Sequence, residues 1–183
     1  MSCIRHFVNS SKQTKQRSHN NFLFNTGNFV FLLLSNTVIT RRFFIKIVGG
    51  ISIMMLTKNF SVAEVQCSCG CGAADMDPDF MKILQNIRDE MKRPLKISSG
   101  VRCAKRNAEV SSTGSNGPHV PRANGTAASD IVIFGADALR LVDIARKHGI
   151  SGVGISQKGR PHSKRFIHID TITDHPRPTI WSY

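Results

Sequence analysis

Three residues of the chain stand out as candidate ligands of a catalytic metal ion. His119 lies in the loop GPHVPRANGTAASDI, Asp130 begins an apolar run, and His168 lies within RFIHID. A catalytic zinc ion takes three protein ligands and keeps one position for water, and two imidazoles with one carboxylate leave the metal able to acidify that water. Spacing alone leaves a second interpretation open, because a histidine on a strand is often a packed core residue and a surface loop can contain a histidine by chance.

Hydrophobic periodicity predicts the helices that would support such a site. Asp77 and Pro78 are typical of a helix N-terminus, and the apolar residues that follow recur at helical spacing as far as Met91. The segment GADALRLVDIARKHG predicts a second amphipathic helix that stops at Gly149. Residues 104–129 show little periodicity and are predicted to form a long loop of the kind that is often functional.

Four short apolar segments predict strands: PLKISSG, DIVIFG, GVGIS and RFIHID. In the last of these, His168 and Asp170 fall on one face, opposite Ile167 and Ile169. The expected fold class is therefore α+β, with a small antiparallel sheet, flanking helices and a long loop. In the metal interpretation of His119, Asp130 and His168, that loop is an active-site loop and the fold holds a single zinc site.

The charge of the chain is unevenly distributed. The formal net charge is +13, and residues 1–53 carry seven Lys or Arg and no Asp or Glu. A basic surface suits nucleic acid, anionic lipid or an anionic wall polymer. Nucleic-acid motifs are missing from the sequence, so no nucleic-acid partner is expected. As a separate expectation, the protein is a monomer.

We interpret residues 1–53 as a basic extension and residues 54–183 as the folded domain. The extension is expected to be disordered, or to be a mis-assigned start upstream of a true one at Met54 or Met55. Its apolar segments are shorter than the roughly 20 residues of a transmembrane helix. A membrane or export segment is the less favoured alternative.

The five cysteines do not predict a disulfide scaffold. Cys67, Cys69 and Cys71 form CSCGC, and Cys3 and Cys103 lie elsewhere. An odd count without a clear secretory signal favours unpaired thiols in a reducing compartment. CSCGC is tighter than the CxxC pairs of structural zinc sites, but a second metal near Cys103 or a disulfide stays open.

Several motifs in order resemble one family. SSGVRCAKRNAEVSSTGSNGPH, ASDIVI, GVGI, RFIHIDT and the terminal RPTIWSY resemble the M15 zinc peptidases, in the branch of D-alanyl-D-alanine carboxypeptidases and murein endopeptidases common among bacteriophage lysins. LTKNFSVAEVQCSCGCG resembles the start of that domain, so the resemblance covers about residues 56–183.

The resemblance implies a role for each site residue. It implies His119, Asp130 and His168 as Zn²⁺ ligands. It also implies that Arg102 contacts the substrate carboxylate or the developing oxyanion, for which a guanidinium fork is suited.

Two departures from the family pattern affect the site. The family spaces its first histidine and aspartate by seven residues, whereas His119 and Asp130 are eleven apart. This predicts an insertion in which Gly125 takes the turn. Many members also have an acid three residues before the last histidine, where this chain has Arg165. Asp170 is then either the general base or the residue that orients a ligand histidine, and His162 is the other candidate for proton transfer.

The function implied by the resemblance is zinc-dependent cleavage of peptidoglycan stem peptides or cross-links, as carboxypeptidase or endopeptidase. The alternative is a zinc-containing wall-binding module that does not cut, which the missing acid keeps open. The resemblance further implies a lysin-like protein of a phage or prophage, made in the bacterial cytoplasm and acting in the periplasm or cell envelope.

Overall fold

The computed structural model describes residues 23–26, 29–33, 42–48, 51–159 and 161–183. Within these ranges the elements are β1 (Leu23–Thr26), β2 (Phe29–Leu33), β3 (Arg42–Val48), β4 (Ile51–Met55), α1 (Val62–Val65), α2 (Pro78–Met91), β5 (Lys96–Ser99), α3 (Ala104–Val110), β6 (Ala128–Val132), α4 (Ala136–Lys147), β7 (Gly152–Ser156), a 3-10 helix (His162–Lys164), β8 (Phe166–Asp170) and β9 (Thr179–Ser182). The mixture confirms the α+β class.

Five strands form the sheet that carries the predicted ligands, in the order β5-β6-β8-β7-β9. Neighbouring strands are antiparallel except for β7 and β9, which run parallel. The predicted antiparallel arrangement is therefore confirmed for the four predicted strands, and β9, which the sequence did not predict, adds a parallel strand at one edge. Both edges of β8 are already paired, with β6 and β7, so the chain that returns after β8 pairs with the free edge of β7, whose direction it shares.

The two long helices begin and pack as their sequences predict. The Asp77 side chain accepts hydrogen bonds from the backbone N–H groups of Asp79 and Phe80, at 2.8 and 3.0 Å, and so caps α2. Helix α2 packs against α4, and α4 packs against β8. The core between the helices and the sheet includes Phe80, Leu84, Ile87, Met91, Ile131, Leu141, Ile144, Ile167 and Ile169. Burial of each large apolar side chain contributes about 1.5–3 kcal/mol to the stability of the fold. This packing holds one face of the sheet in place and leaves the other face for a site.

The predicted long loop over residues 104–129 is partly wrong, because α3 occupies Ala104–Val110. Only Asn107 of this helix is buried, so there is no apolar stripe from which to predict it. Asn107 donates to the Thr113 hydroxyl and the Gly114 carbonyl at 3.1 and 2.6 Å, which ties the helix to the segment that follows. The irregular stretch before β6 is thereby reduced to residues 111–127.

Strands β1 to β4 form a second, antiparallel sheet in that order. The interpretation of residues 1–53 as an extension falls largely on residues outside the described ranges, and it stays a prediction, as does a start at Met54 or Met55. Strand β4 runs across the predicted boundary at residue 54. In the described part of the chain, no helix is long and apolar enough to cross a membrane.

Candidate metal centre

One row of residues across the five-stranded sheet builds the floor of the site. Asp130 on β6 lies directly opposite His168 on β8. The row continues to Ser99 on β5 in one direction, and through Gly154 to Trp181 on β9 in the other. Because side chains alternate along a strand and the neighbouring isoleucines face the helices, this row faces the opposite side of the sheet.

His119 reaches the row from the irregular segment 111–127. Its backbone carbonyl accepts from the Arg102 N–H at 2.9 Å and from the Thr126 hydroxyl at 3.2 Å. Its ring Nδ1 donates to the Gly100 carbonyl at 2.7 Å, and the side chain is buried. The loop histidine is therefore held at both its backbone and its ring.

The inserted residues between His119 and Asp130 close on themselves. Arg122 and Gly125 exchange two backbone hydrogen bonds, of 3.1 and 3.0 Å, which makes a tight turn. Gly125 has φ +109°, and a Cβ there would lie 2.7 Å from the backbone of Met76. The structure therefore places Gly125 at the turn, as the sequence predicts, and the insertion leaves both candidate ligands at the site.

The three candidate ligand atoms form a small triangle. His119 Nε2 lies 3.1 Å from Asp130 Oδ1 and 3.1 Å from His168 Nδ1, and the latter lies 2.8 Å from Asp130 Oδ1. Zinc bonds of about 2.0–2.1 Å in a tetrahedral site separate the ligand atoms by about 3.3 Å. The triangle is thus close in size to one face of a zinc tetrahedron.

The hydrogen bonds outside the triangle decide which atoms point inward. A carbonyl only accepts, so His119 carries its hydrogen on Nδ1, and His168 donates from Nε2 to the Asp170 carboxylate at 2.9 Å. In the neutral rings, His119 Nε2 and His168 Nδ1 then carry no hydrogen, and the lone pair of each faces an Asp130 oxygen. Three acceptors in mutual contact fit a bound cation, and the donor set fits zinc.

The pKa shifts follow the same arrangement. Burial lowers the pKa of His119. Burial alone would lower the pKa of His168 and raise that of Asp130, but their mutual hydrogen bond and their other contacts reverse both shifts. The site therefore favours a carboxylate at Asp130 and positive charge beside it.

Asp170 lies behind His168, on the far side of the ring from the triangle. It is fully buried, and Arg177 binds it with Nε to Oδ1 at 2.8 Å and Nη2 to Oδ2 at 2.6 Å. Burial would raise the pKa of Asp170, but the hydrogen bonds from Arg177 and His168 lower it. Both oxygens are occupied in these contacts, which favours the orienting role over that of general base.

Arg102 lies beside the triangle and binds one of the candidate ligands. Its Nη2 contacts Asp130 Oδ2 at 2.6 Å, and its Nε donates to the Ser99 hydroxyl at 2.8 Å. These contacts fix the carboxylate so that Oδ1 faces the histidines. The third guanidinium nitrogen, Nη1, takes part in neither contact.

A cavity of about 610 Å³ opens above the centre. Its lining residues are Arg102, Val110, Ser111, Ser112, Thr113, Pro118, His119, Asp130, Phe166, His168, His175, Arg177, Trp181, Ser182 and Tyr183. The Trp181 ring lies 5.2 Å from the His168 ring, and the Arg177 guanidinium lies 5.0 Å from the Trp181 ring centre. The C-terminal segment thus forms one wall of the cavity.

Two residues of this wall, Arg177 and His175, have no role in the sequence prediction. A signal for Arg177 existed, since a buried aspartate on a strand requires a cationic partner and RPTIWSY supplies an arginine close by. His175 Nδ1 contacts Asp174 Oδ1 at 3.1 Å. Its position depends on the path of residues 171–178, which periodicity does not predict.

The structure places two positions discussed from the sequence outside the cavity: His162, a predicted site residue, and Arg165, which stands where many family members have an acid. His162 lies exposed in the 3-10 helix, and its ring packs on Phe134 at a centroid distance of 5.2 Å. Arg165 donates to the Gly159 carbonyl from Nε and Nη2, at 3.0 and 2.9 Å. Neither residue is among those that line the cavity, so His162 is not carried into the proposed site.

Comparison with known proteins gives one match. The family described as peptidase M15 matches residues 58–170, which is more than half of the chain and includes every residue of the triangle. No curated protein and no solved structure matches. M15 peptidases are metallopeptidases, in agreement with the grouped His119, Asp130 and His168. The chain belongs to the peptidase M15 family.

Proposed function

We propose that this protein is a zinc-dependent peptidase that hydrolyses peptide bonds of peptidoglycan, in its stem peptides or cross-links. The observation that carries the proposal is the triangle of His119 Nε2, Asp130 Oδ1 and His168 Nδ1, with edges of 2.8–3.1 Å, on the floor of an open cavity. Three protein ligands with an open face are typical of catalytic zinc sites, whereas structural sites are closed by a fourth protein ligand.

The chain supplies groups for the remaining parts of the reaction. A zinc ion bound there supplies a Lewis acid and a water of lowered pKa. Arg102 Nη1 is available to bind the substrate carboxylate or the oxyanion. The hydrogen bond of His175 Nδ1 to Asp174 leaves Nε2 with a lone pair, so we assign His175 as the proton acceptor and donor.

The cavity supports a small, anionic peptide as substrate. Arg102 and Arg177 lie in its lining, together with hydroxyl groups of residues 111–113 and the rings of Phe166, Trp181 and Tyr183. A stem peptide with small side chains and a free carboxylate suits these groups. The net charge of +13 would also draw the protein to an anionic wall, which supports action in the periplasm or envelope by a lysin-like monomer.

One observation favours the alternative of a wall-binding module that does not cut. Among the described residues that line the cavity, Asp130 is the sole one with a carboxylate side chain, and that carboxylate is occupied by Arg102 and the histidines. If His175 is not competent for proton transfer, the site would hold zinc and peptide without hydrolysis.

The test measures metal content and activity on the same sample of the full chain. We expect release of new amino groups from purified peptidoglycan, loss of release with a chelator, and recovery with added zinc. His168→Ala should lose the zinc of this centre together with release, whereas His148→Ala, which changes the histidine at the end of α4 that contacts Glu90, should keep both. Zinc without release, combined with sedimentation on peptidoglycan, would support the binding module. A folded wild-type protein that takes up no zinc would refute both.

A further inference from the structure

Four of the five cysteines meet at one point in the structure. The sulfur atoms of Cys67, Cys69, Cys71 and Cys103 all lie within 4.8 Å of one another. Cys67 and Cys69 are 3.4 Å apart, and Cys69 and Cys103 are 3.6 Å apart. Cys67 is buried, Cys103 is half-buried, and the other two are exposed. The cluster thus joins a loop before α2 to the residue that caps α3.

These distances match a metal site better than a disulfide. A disulfide has sulfur atoms about 2.05 Å apart, and all four cysteines are unpaired. Zinc–thiolate bonds of about 2.3 Å place the sulfur atoms of a tetrahedral site about 3.8 Å apart. The two measured separations are close to that value, and the outer limit of 4.8 Å allows the remaining sulfurs to close on a central ion.

The glycines of CSCGCG explain how three closely spaced cysteines converge. In an extended strand, the Cα atoms of alternate residues lie about 6.6 Å apart and their side chains run parallel, so three such cysteines would not converge on one ion. Gly70 and Gly72 instead have φ +80° and +79°, and the Cys67 N–H donates to the Ala73 carbonyl at 2.8 Å. These turns fold the loop on itself, so the tight spacing does not exclude a metal site.

Backbone donors point at two of the sulfurs. The Cys103 N–H contacts Cys67 Sγ at 3.4 Å, and the Arg106 N–H contacts Cys103 Sγ at 3.4 Å. A hydrogen bond from a backbone N–H group favours the thiolate form of a sulfur, and the thiolate is the form that binds a metal ion.

We propose that these four thiolates bind a second zinc ion, with a structural role. Four protein ligands leave no position for water, so this ion is not a second catalytic centre. A tetrahedral set of four sulfurs suits zinc or iron, and we assign zinc because two of the ligands are exposed and zinc is inert to oxidation and reduction.

The ion would brace the residues that hold the catalytic centre. Cys103 follows Arg102, which binds Asp130, and it lies three residues after Gly100, whose carbonyl accepts from His119. The Val101 N–H donates to the Val65 carbonyl at 2.8 Å, so segments 65–71 and 100–103 already run side by side. A metal cross-link between them would fix Arg102 and Gly100 against the core.

The test counts zinc and detects thiolate ligands in the full chain. In protein purified under reducing conditions we expect about two zinc ions per chain, one for each proposed site. Replacing zinc by Co²⁺ should give the near-ultraviolet charge-transfer absorption of thiolate bound to cobalt. That absorption should persist in His168→Ala, because histidine and carboxylate ligands do not produce it, so failure of the catalytic centre would not hide the second site.

The matched variants use exposed positions. The double variant Cys69→Ser and Cys71→Ser should lose one zinc and the thiolate absorption, with little disturbance of core packing, and its Tm should fall. Cys3→Ser, which changes the fifth cysteine, should keep both signals. Because the wild-type cobalt spectrum is read independently of any variant, misfolding of the double variant leaves the test intact. Three results would overturn the proposal: no thiolate absorption in wild type, an unchanged zinc count in a folded double variant, or a disulfide among the four cysteines in protein alkylated on lysis. Bound iron would overturn only the choice of zinc.

Discussion

Arg177 binds both carboxylate oxygens of Asp170, with Nε donating to Oδ1 at 2.8 Å and Nη2 donating to Oδ2 at 2.6 Å. Asp170 in turn accepts from His168, a candidate metal ligand. Arg177 lies beyond the matched residues 58–170, so the C-terminal tail of this chain supports the centre through a chain of two contacts.

Replacing Arg177 should weaken metal binding without touching a ligand. Arg177→Ala leaves the buried Asp170 charge with only its hydrogen bond from His168, which we expect to cost about 3–5 kcal/mol of stability. Loss of the orienting contact should lower zinc affinity or activity roughly 10–100-fold. Zinc titration and urea unfolding measure these effects. The zinc affinity and stability of Arg177→Lys should lie between those of wild type and Arg177→Ala, because lysine keeps the charge but cannot bind both carboxylate oxygens as the guanidinium does. Arg146→Ala on α4 is the control. Wild-type zinc affinity in a folded Arg177→Ala would contradict the prediction.

Asp170→Asn separates the two roles considered for this residue. If Asp170 orients His168, the variant should bind zinc roughly 10–100-fold more weakly and recover activity in excess zinc. If it is the general base, zinc binding stays normal and activity falls roughly 10²–10⁴-fold whatever the zinc concentration. The buried contacts with Arg177 and His168 lead us to expect the first result. The measurement is peptidoglycan cleavage against zinc concentration.

His175→Gln tests the proposed proton acceptor. Glutamine keeps a side chain of similar polarity but does not transfer the proton, so kcat should fall roughly 10²–10⁴-fold. Zinc content and KM should change little, because His175 is not a ligand in the triangle. Steady-state kinetics on a soluble stem peptide, with zinc analysis, measure this. His162→Gln is the matched control, and equal effects of the two variants would count against His175.

Gly154→Ala should disturb the aromatic wall. A Cβ at this position would lie 2.7 Å from the Trp181 ring, which packs beside His168. The indole must move, at a cost of about 1–3 kcal/mol. Trp181 is the single tryptophan of the chain, so its fluorescence reports the displacement directly. Ser156→Ala on the same strand should leave the spectrum unchanged. An unaltered spectrum and unaltered activity in Gly154→Ala would mean that the wall tolerates the added methyl group.

Asp174 should stabilise the protein at neutral pH and lose its effect in acid. Its hydrogen bond from Arg122 lowers the pKa of its carboxyl in the folded state. A lowered folded pKa gives stability that is present above the unfolded pKa, about 3.9, and is lost as pH falls through the folded pKa. Asp174→Asn should therefore be less stable than wild type at pH 7, and the difference should vanish in acid.

Urea unfolding across pH, in a double-mutant cycle with Arg122→Gln, isolates this pair. The coupling between the two positions should be measurable at pH 7 and absent at low pH. A coupling that does not change with pH would show that the contact does not depend on the Asp174 charge.

The local sequence pattern predicted those helices and strands whose own residues include a cap or an apolar periodicity. Helix α2 has its cap at Asp77 and an apolar stripe, and β8 alternates isoleucine with polar residues, so both could be read from neighbouring residues. Helix α3 was missed because only Asn107 is buried, and the parallel β9 was missed because the available sheet edge depends on strands far away in the chain.

The sequence by itself determined the class of the fold, the two long helices, and the residue types from which a metal centre is built, because these depend on local spacing and on side-chain chemistry. Only the tertiary structure decided which of them meet: the register that sets Asp130 opposite His168, the carbonyl of Gly100 that turns His119 inward, and the tail that brings Arg177 to Asp170. Strand register and long-range contacts depend on the packing of the whole domain, and no short stretch of sequence contains that information.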